Sequence, residues 1–167
     1  MKRVEAMKAM ESFLKQDFKY LYKEQRINLH QMHLSFQMDS NKYNLQANLD
    51  FREDWLDVLV FISPTALTIG SDSYWQALQT VNFVNWYTKG AGRFYIDSYG
   101  DLAYSIRLQY DFIEREQLMA FKEIEVAIDY YTDLFIPFLN VCIGKSTFED
   151  VKEIIDVMYG EGMGSEI

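Results

Sequence analysis

The sequence predicts an α+β protein in which an antiparallel five-stranded sheet carries helices mainly on one face. Apolar residues recur at every second position in five segments and at every third or fourth position in four others, and these are the periods of strands and amphipathic helices. The segments follow the order α-βββ-α-ββ-α-α, and helices segregated to one side of an antiparallel sheet are typical of the α+β class. No repeat or linker divides residues 1–160. We therefore expect a single domain there, followed by a flexible tail at 161–167.

The first element is predicted to be an amphipathic helix over residues 4–24, because its apolar side chains have helical spacing and its lysines and glutamates lie opposite them. Segments 32–38 and 43–51 then alternate apolar with polar residues. If Met38 faces Tyr43, then Leu34 lies opposite Ala47 and both apolar sets share one side of a hairpin. These segments are the first two predicted strands.

The third predicted strand, residues 55–63, is apolar on both sides. Trp55, Leu59 and Phe61 point to the side opposite its other apolar residues. A strand of this kind is buried on both faces. Pro64 ends it, since proline has no N–H to donate. Two interpretations stay open: the chain's own helices cover the second side, or a partner does.

A second hairpin is predicted over residues 92–110. The two apolar sets share a face only if Ile96 lies opposite Leu102 and Phe94 opposite Tyr104. This register leaves a three-residue turn, and such turns place their last residue in the left-handed region that glycine favours. Gly100 stands at that position.

Three helices complete the predicted fold. Ser71 can cap one over residues 74–88. A long helix starts near Glu114, and Pro137 is expected to kink or split it. Thr147 begins the last helix with a carboxylate three residues on, which is the capping-box pattern.

Composition argues against several classes of partner. Net charge is −9, from 25 acidic and 16 basic residues without a basic cluster, whereas binding to nucleic acid depends on lysine and arginine at phosphates. No apolar run reaches the roughly 18 residues of a membrane span. The first residues lack the apolar centre of a signal peptide, and the single Cys142 permits no intrachain disulfide. We expect a cytoplasmic protein that binds neither nucleic acid nor membranes.

No metal site is predicted. His30 and His33 are three positions apart on a strand, which puts them on opposite faces, so a structural role is favoured for both. The acidic run within residues 50–57 lacks the glycine-turned loop of a calcium site and is predicted to be a solvated corner.

No catalytic group or cofactor site is predicted either. Glu125, Asp129 and Asp133 line one side of the long helix. They could do acid–base chemistry only in a buried cleft, and a solvated face is favoured. Cys142 lies among apolar residues and is interpreted as part of the core. The glycines at 90 and 92 precede a strand, whereas a phosphate loop precedes a helix. We expect no enzyme.

One surface remains as a candidate site. Trp55, Leu59 and Phe61 form the second apolar side of the third strand, and Tyr95 and Arg107 of the second hairpin could extend it. Aromatic residues and arginine are enriched at protein interfaces. These five residues are the predicted partner-binding surface.

The segments NFVN (82–85), GRFYID (92–97) and GDLAY (100–104) resemble the YbjN-type family. Its members have an asparagine-rich helix end followed by strands of the form G-x-F-x-x-D and G-x-l-x-y. The PFL segment (137–139) is also similar. The resemblance covers residues 1–144 and does not include the last helix.

The resemblance implies a small, acidic, cytoplasmic bacterial protein that binds proteins and is often dimeric. The family is related in fold to type III secretion chaperones, which hold partly unfolded clients at apolar patches and sheet edges, and its members are labelled sensory transduction regulators. We therefore expect a non-enzymatic, chaperone- or adaptor-like homodimer. The alternative is a small-molecule sensor with an aromatic pocket between the sheet and the middle helix, around Trp75 and Trp86.

Overall fold

A computed structural model of the chain describes residues 1–16, 22–37, 44–62 and 67–160. It has the predicted α+β class, with an antiparallel sheet. Some predictions lie outside the described residues: the Met38–Tyr43 pair, the strand end at Pro64 and the tail 161–167.

The described residues form five helices and one sheet of six strands in the order β1-β2-β3-β4-β6-β5. Every neighbouring pair is antiparallel. The strands are β1 (Tyr22–Asn28), β2 (Gln31–Gln37), β3 (Asn44–Phe51), β4 (Trp55–Ile62), β5 (Arg93–Ile96) and β6 (Leu102–Gln109). The helices are α1 (Arg3–Gln16), α2 (Asp72–Tyr87), α3 (Tyr110–Arg115), α4 (Gln117–Cys142) and α5 (Phe148–Tyr159).

Both predicted hairpin registers are confirmed. Leu34 pairs with Ala47 in the first hairpin, and Ile96 pairs with Leu102 in the second. Gly100 has φ = 83°, the left-handed conformation that the turn requires. The parity of the apolar residues and the position of one glycine were therefore sufficient to fix both pairings.

The boundaries differ from prediction at the start of the chain. The first helix ends at Gln16, and residues 22–28, part of which we assigned to that helix, form the additional strand β1. This strand has no period-two apolar pattern. Its conformation comes from backbone pairing with β2, which apolar periodicity cannot reveal.

Two further boundaries differ later in the chain. Tyr110 has the parity of the strand residues before it, yet it begins α3. Pro137 does not split the long helix, because α4 continues through it to Cys142. Pro137 is buried, so its ring contributes to packing while the helix loses only the hydrogen bond that proline cannot donate.

The helices pack on one side of the sheet, in agreement with the prediction of helices mainly on one face. α4 packs on β4 and β6, and α1 on β3. Phe13 of α1 meets Phe121 of α4 with 5.1 Å between ring centroids, and Phe83 of α2 meets Phe148 of α5 at 5.7 Å. The alternate strand residues on this side are buried and form the core with the helices: Leu45, Ala47, Leu49, Leu56, Val58, Val60, Tyr104, Ile106 and Leu108.

Candidate functional site

The opposite side of the sheet, which we call the open face, carries no helix of the described residues. Its residues in β4 are Trp55, Asp57, Leu59 and Phe61, and all four are only half-buried. The chain's own helices, as far as they are described, therefore do not cover the second apolar side of this strand. A strand that is apolar on both sides is here buried on one side only.

The structure brings the five predicted partner-binding residues together on the open face. β4 supplies Trp55, Leu59 and Phe61 along one row. Arg107 of β6 lies beside this row, because its register partner is Asp57 of β4. Tyr95 of β5 lies on the same face, one strand beyond β6, because Ala103 of β6 is the register partner of both Phe61 and Tyr95.

Small residues of β6 make a valley in this surface. Ala103 and Ser105 lie between Leu59 and Phe61 on one side and Tyr95 on the other. Neighbouring strands are about 4.8 Å apart, so β4 and β5 stand roughly 10 Å apart across β6. We call these five residues the valley; Ala103, which is almost fully buried, forms its floor.

Trp55, Asp57 and Arg107 contact one another at one end of the valley. The Arg107 guanidinium carbon lies 4.6 Å from the centroid of the Trp55 ring. Arg107 Nε donates to Asp57 Oδ1 over 2.9 Å, and Trp55 Nε1 donates to Asp57 Oδ2 over 3.0 Å. Partial burial alone would raise the pKa of Asp57, but the hydrogen bonds from Arg107 and Trp55 and the positive charges of Arg107 and Arg52 together hold the pKa below its usual value. The contacts with Arg107 and Asp57 hold the indole ring of Trp55 in one orientation.

The acidic corner between β3 and β4 is partly solvated and partly paired. Glu53 and Asp54 are exposed, as predicted. Asp50 and Asp57 instead lie on the open face, where Arg52 contacts both over 2.7 Å and 3.5 Å. The open face is consequently close to neutral at this point, although the whole chain carries −9.

The β2–β3 half of the open face is polar, and its side chains pair with each other. His33 Nδ1 lies 2.6 Å from Asn48 Oδ1, and Gln31 donates to Asp50 over 3.2 Å. His30 lies in the turn before β2 and His33 on the strand itself. The described residues contain no group of three or more side chains suited to hold a metal ion.

Both halves of the open face contribute to a concavity of about 590 Å³, which includes Asn48, Leu59, Tyr95, Ser105 and Arg107 among its lining residues. Burial, and to a lesser extent the charge of Asp97, raises the pKa of Tyr95, so this hydroxyl stays neutral and can donate a hydrogen bond. Binding pockets for small molecules have volumes of roughly 300–1,000 Å³. The concavity could therefore receive either a small molecule or side chains of a partner.

The carboxylates of α4 do not form a cleft. Asp129 and Asp133 are exposed and Glu125 is half-buried. Partial desolvation, with the charge of Asp129 adding to it, raises the pKa of Asp133. Burial raises the pKa of the Cys142 thiol to about 11, and so high a value leaves little of the nucleophilic thiolate near neutral pH.

The predicted aromatic pocket between the sheet and α2 is wrong for its two named residues. Trp75 is 57% exposed and Trp86 is 78% exposed, so both lie on the outer side of α2. The two tryptophans are eleven positions apart and therefore share one stripe of the helix, which faces away from the sheet.

One functional contact was not predicted: the side-chain amide of Asn85 closes the outer edge of β5. Its Nδ2 donates to the Phe94 carbonyl over 2.9 Å, and its Oδ1 accepts from the Phe94 N–H over 2.9 Å. The asparagine-rich helix end was visible in the sequence, but its contact with the strand depends on the path of the chain between them.

Comparisons with protein-family models, with curated proteins and with solved structures found no match. The relation to the YbjN-type family stays a prediction. Among the described residues, no helix is both long and apolar enough to cross a bilayer.

Proposed function

We propose that this protein is a non-enzymatic protein-binding module, chaperone- or adaptor-like, that receives its partner on the open face. One observation carries the proposal: Trp55, Leu59, Phe61 and Tyr95 gather on the side of the sheet that no described helix covers. An apolar patch rimmed by polar residues is typical of a protein-binding site, and aromatic residues and arginine are enriched in such sites.

A relation to the YbjN-type family and a cytoplasmic location belong to this proposal. The first is supported by the hairpin around Gly100, whose residues carry the resemblance. The second is supported by Cys142, the single cysteine, which is a free thiol in the structure and would remain reduced in a reducing compartment.

Homodimer formation is also part of the proposal, with two candidate surfaces. One is the open face. The other is the outer stripe of α2, formed by Trp75, Gln79, Asn82 and Trp86, all exposed. Asp72 is the one charged residue of this helix, so two copies of an acidic chain could approach there without local repulsion.

Light scattering of two variants distinguishes the surfaces. Phe61→Asp should convert a dimer to a monomer if the open face is the self-interface, and Trp86→Glu should do so if the α2 stripe is. A wild-type protein that stays monomeric at high concentration would contradict the dimer while leaving the partner site open.

Suppression of aggregation of reduced, unfolded lysozyme tests partner binding. The wild-type chain should keep this basic, partly unfolded client in solution, and Phe61→Asp should lose most of that effect. Gln117→Asp introduces the same charge at an exposed position of α4, on the helix-covered side of the sheet, and is the matched control. Equal protection by the wild type and Phe61→Asp, with both folded by circular dichroism, would reject the open face as the binding site.

A small-molecule sensor is the second candidate function, and its support is the concavity on the open face. A metabolite at a concentration 100-fold above its Kd should stabilise the chain by about 2.7 kcal/mol, which a thermal-shift screen detects. The shift should disappear in Ser105→Trp, which fills the concavity. A screen without such a ligand would leave the protein-binding proposal as the better one.

A further inference from the structure

We infer that the partner segment is an amphipathic helix with basic ends, which lies along the valley of the open face. The inference rests on the proposed function, because it specifies what kind of protein segment the open face would receive. Three observations support it: the bonds of Asn85 at the edge of β5, the width of the valley, and the acidic residues at the two ends of the valley.

The outer edge of β5 is already bonded at Phe94, the residue before Tyr95. In β5 the outward-facing N–H and C=O groups of Phe94 are both bonded to the amide of Asn85. An extended peptide that binds by strand addition needs such groups free. An added strand would have to displace Asn85 from Phe94, which favours a segment that contacts Tyr95 from the face of the sheet.

The width of the valley fits a helix. The backbones of the wall strands β4 and β5 are roughly 10 Å apart, so a helix about 10–12 Å across with its side chains would rest on the side chains of both walls. The valley and the Trp55–Asp57–Arg107 cluster at its end together extend roughly 20 Å along β4, which corresponds to about 13 residues of helix. The opposite face of the same strands already receives a helix, α4.

Acidic residues mark both ends of the valley. Exposed Glu53 and Asp54 precede Trp55 at one end. Asp97 and Asp101 lie at the other end, in the turn that joins β5 to β6; Asp97 is fixed there because its Oδ1 accepts hydrogen bonds from the N–H groups of Tyr99 and Asp101.

The carboxylates Asp50 and Asp57 of the open face each have an arginine partner. Asp57 pairs with Arg107 and Asp50 with Arg52, while Arg93 of β5 turns its guanidinium to the carbonyls of Gly90 and Gly92. An apolar stripe with lysine or arginine at each end is complementary to a valley without unpaired carboxylates between acidic ends. The net charge of −9 would also attract such a segment from a distance.

Fluorescence polarisation with labelled synthetic peptides of about 14 residues tests the inference on the full chain. The first peptide has an apolar helical stripe and two lysines at each end. The others carry glutamates at the ends, two central prolines, or the same composition in scrambled order. We expect the first peptide to bind at least tenfold more tightly than each of the other three, and more weakly as salt increases.

Two variants of the chain locate the binding site. Phe61→Asp should weaken the first peptide at least tenfold, and the double variant Glu53→Lys, Asp54→Lys should weaken it severalfold. The two substituted carboxylates are exposed in a turn, so the double variant provides a test even if Phe61→Asp does not fold. Gln117→Asp, at an exposed position of α4 on the other side of the sheet, should bind like the wild type.

The outcomes separate this inference from the proposed function. Equal binding of the proline peptide would overturn the helix, and equal binding of the glutamate peptide would overturn the charge assignment. Equal binding of the scrambled peptide would show charge attraction alone and also overturn the inference. If no peptide binds while lysozyme protection still depends on Phe61, the helix inference fails and the proposed function stands. If peptide binding and lysozyme protection are unchanged in Phe61→Asp and in the double variant, the helix inference and the proposed function both fail.

Discussion

The side-chain amide of Asn85 binds the backbone of Phe94 as a neighbouring strand would. Both hydrogen bonds are 2.9 Å long, one to the N–H and one from the amide to the C=O. An exposed strand edge is a template for pairing with other chains. A side chain of α2 therefore covers the edge of β5, a strand of four residues, at Phe94.

Asn85→Ala removes both bonds and should lower the free energy of unfolding by about 1–3 kcal/mol, because two backbone groups lose their partners. Asn82→Ala is the matched control. It lies three residues earlier on the exposed side of the same helix and gains the same helix propensity. Urea denaturation measures both variants, and equal midpoints would contradict the role of Asn85. A freed edge should also make Asn85→Ala aggregate sooner on heating.

Gly100→Ala should destabilise the chain more than Gly70→Ala does. The two glycines have φ = 83° and 82°, so both substitutions incur a left-handed strain of about 1–2 kcal/mol. A Cβ at Gly100 would come within 2.2 Å of the Leu67 carbonyl oxygen, whereas a Cβ at Gly70 would meet no atom within 4 Å. The difference between the two variants in urea denaturation measures the clash alone, and we expect it to be at least about 1 kcal/mol. Equal losses would show that Leu67 can move away.

The sequence predicted those parts of the fold in which neighbouring residues carry the information. Both hairpins follow from alternation and turn chemistry over short separations. β1 was missed because Tyr22 and Ile27, its two apolar residues, have opposite parity and therefore give no period-two pattern. Polar strands of this kind are specified by the strand they pair with.

The residues of the candidate site were predictable from the sequence, but the contacts between them were not. The parity of β4 identified Trp55, Leu59 and Phe61 as a second apolar side. The contact of Arg107 with Trp55 depends on β6 pairing with β4 after an intervening helix and strand. Periodicity gives the face on which a residue lies but not which distant strand becomes its neighbour.

Asp57 should make stability depend on pH below about 4. Its pKa in the folded chain is lowered from the ordinary value of about 3.9. A group with a lowered folded pKa contributes stability that is complete above the unfolded pKa and is lost as pH falls through the folded pKa. Asp57→Asn should therefore reduce the difference in unfolding free energy between pH 7 and pH 3.

Arg107→Gln provides a second test of this linkage. It removes a guanidinium that donates to Asp57 and should reduce the pH 7 to pH 3 difference in the same direction, by a smaller amount. Arg115→Gln, which changes an exposed arginine of α3, is the matched control. Identical pH profiles for the wild type and Asp57→Asn, measured by urea denaturation, would show that the charge of Asp57 does not stabilise the fold.

Cys142 should resist alkylation in the folded chain. Its pKa is raised to about 11 by burial, while an unfolded cysteine has a pKa of about 8.5. The loss of thiolate outweighs the greater nucleophilicity that a high pKa confers. Iodoacetamide at pH 8 should therefore react about tenfold or more slowly with the folded chain than with the chain in concentrated urea. Because the chain has one cysteine, mass spectrometry reports this site alone, and Cys142→Ser should gain no mass. Equal rates would reveal an accessible, reactive thiol and would reopen the possibility of a nucleophile on α4.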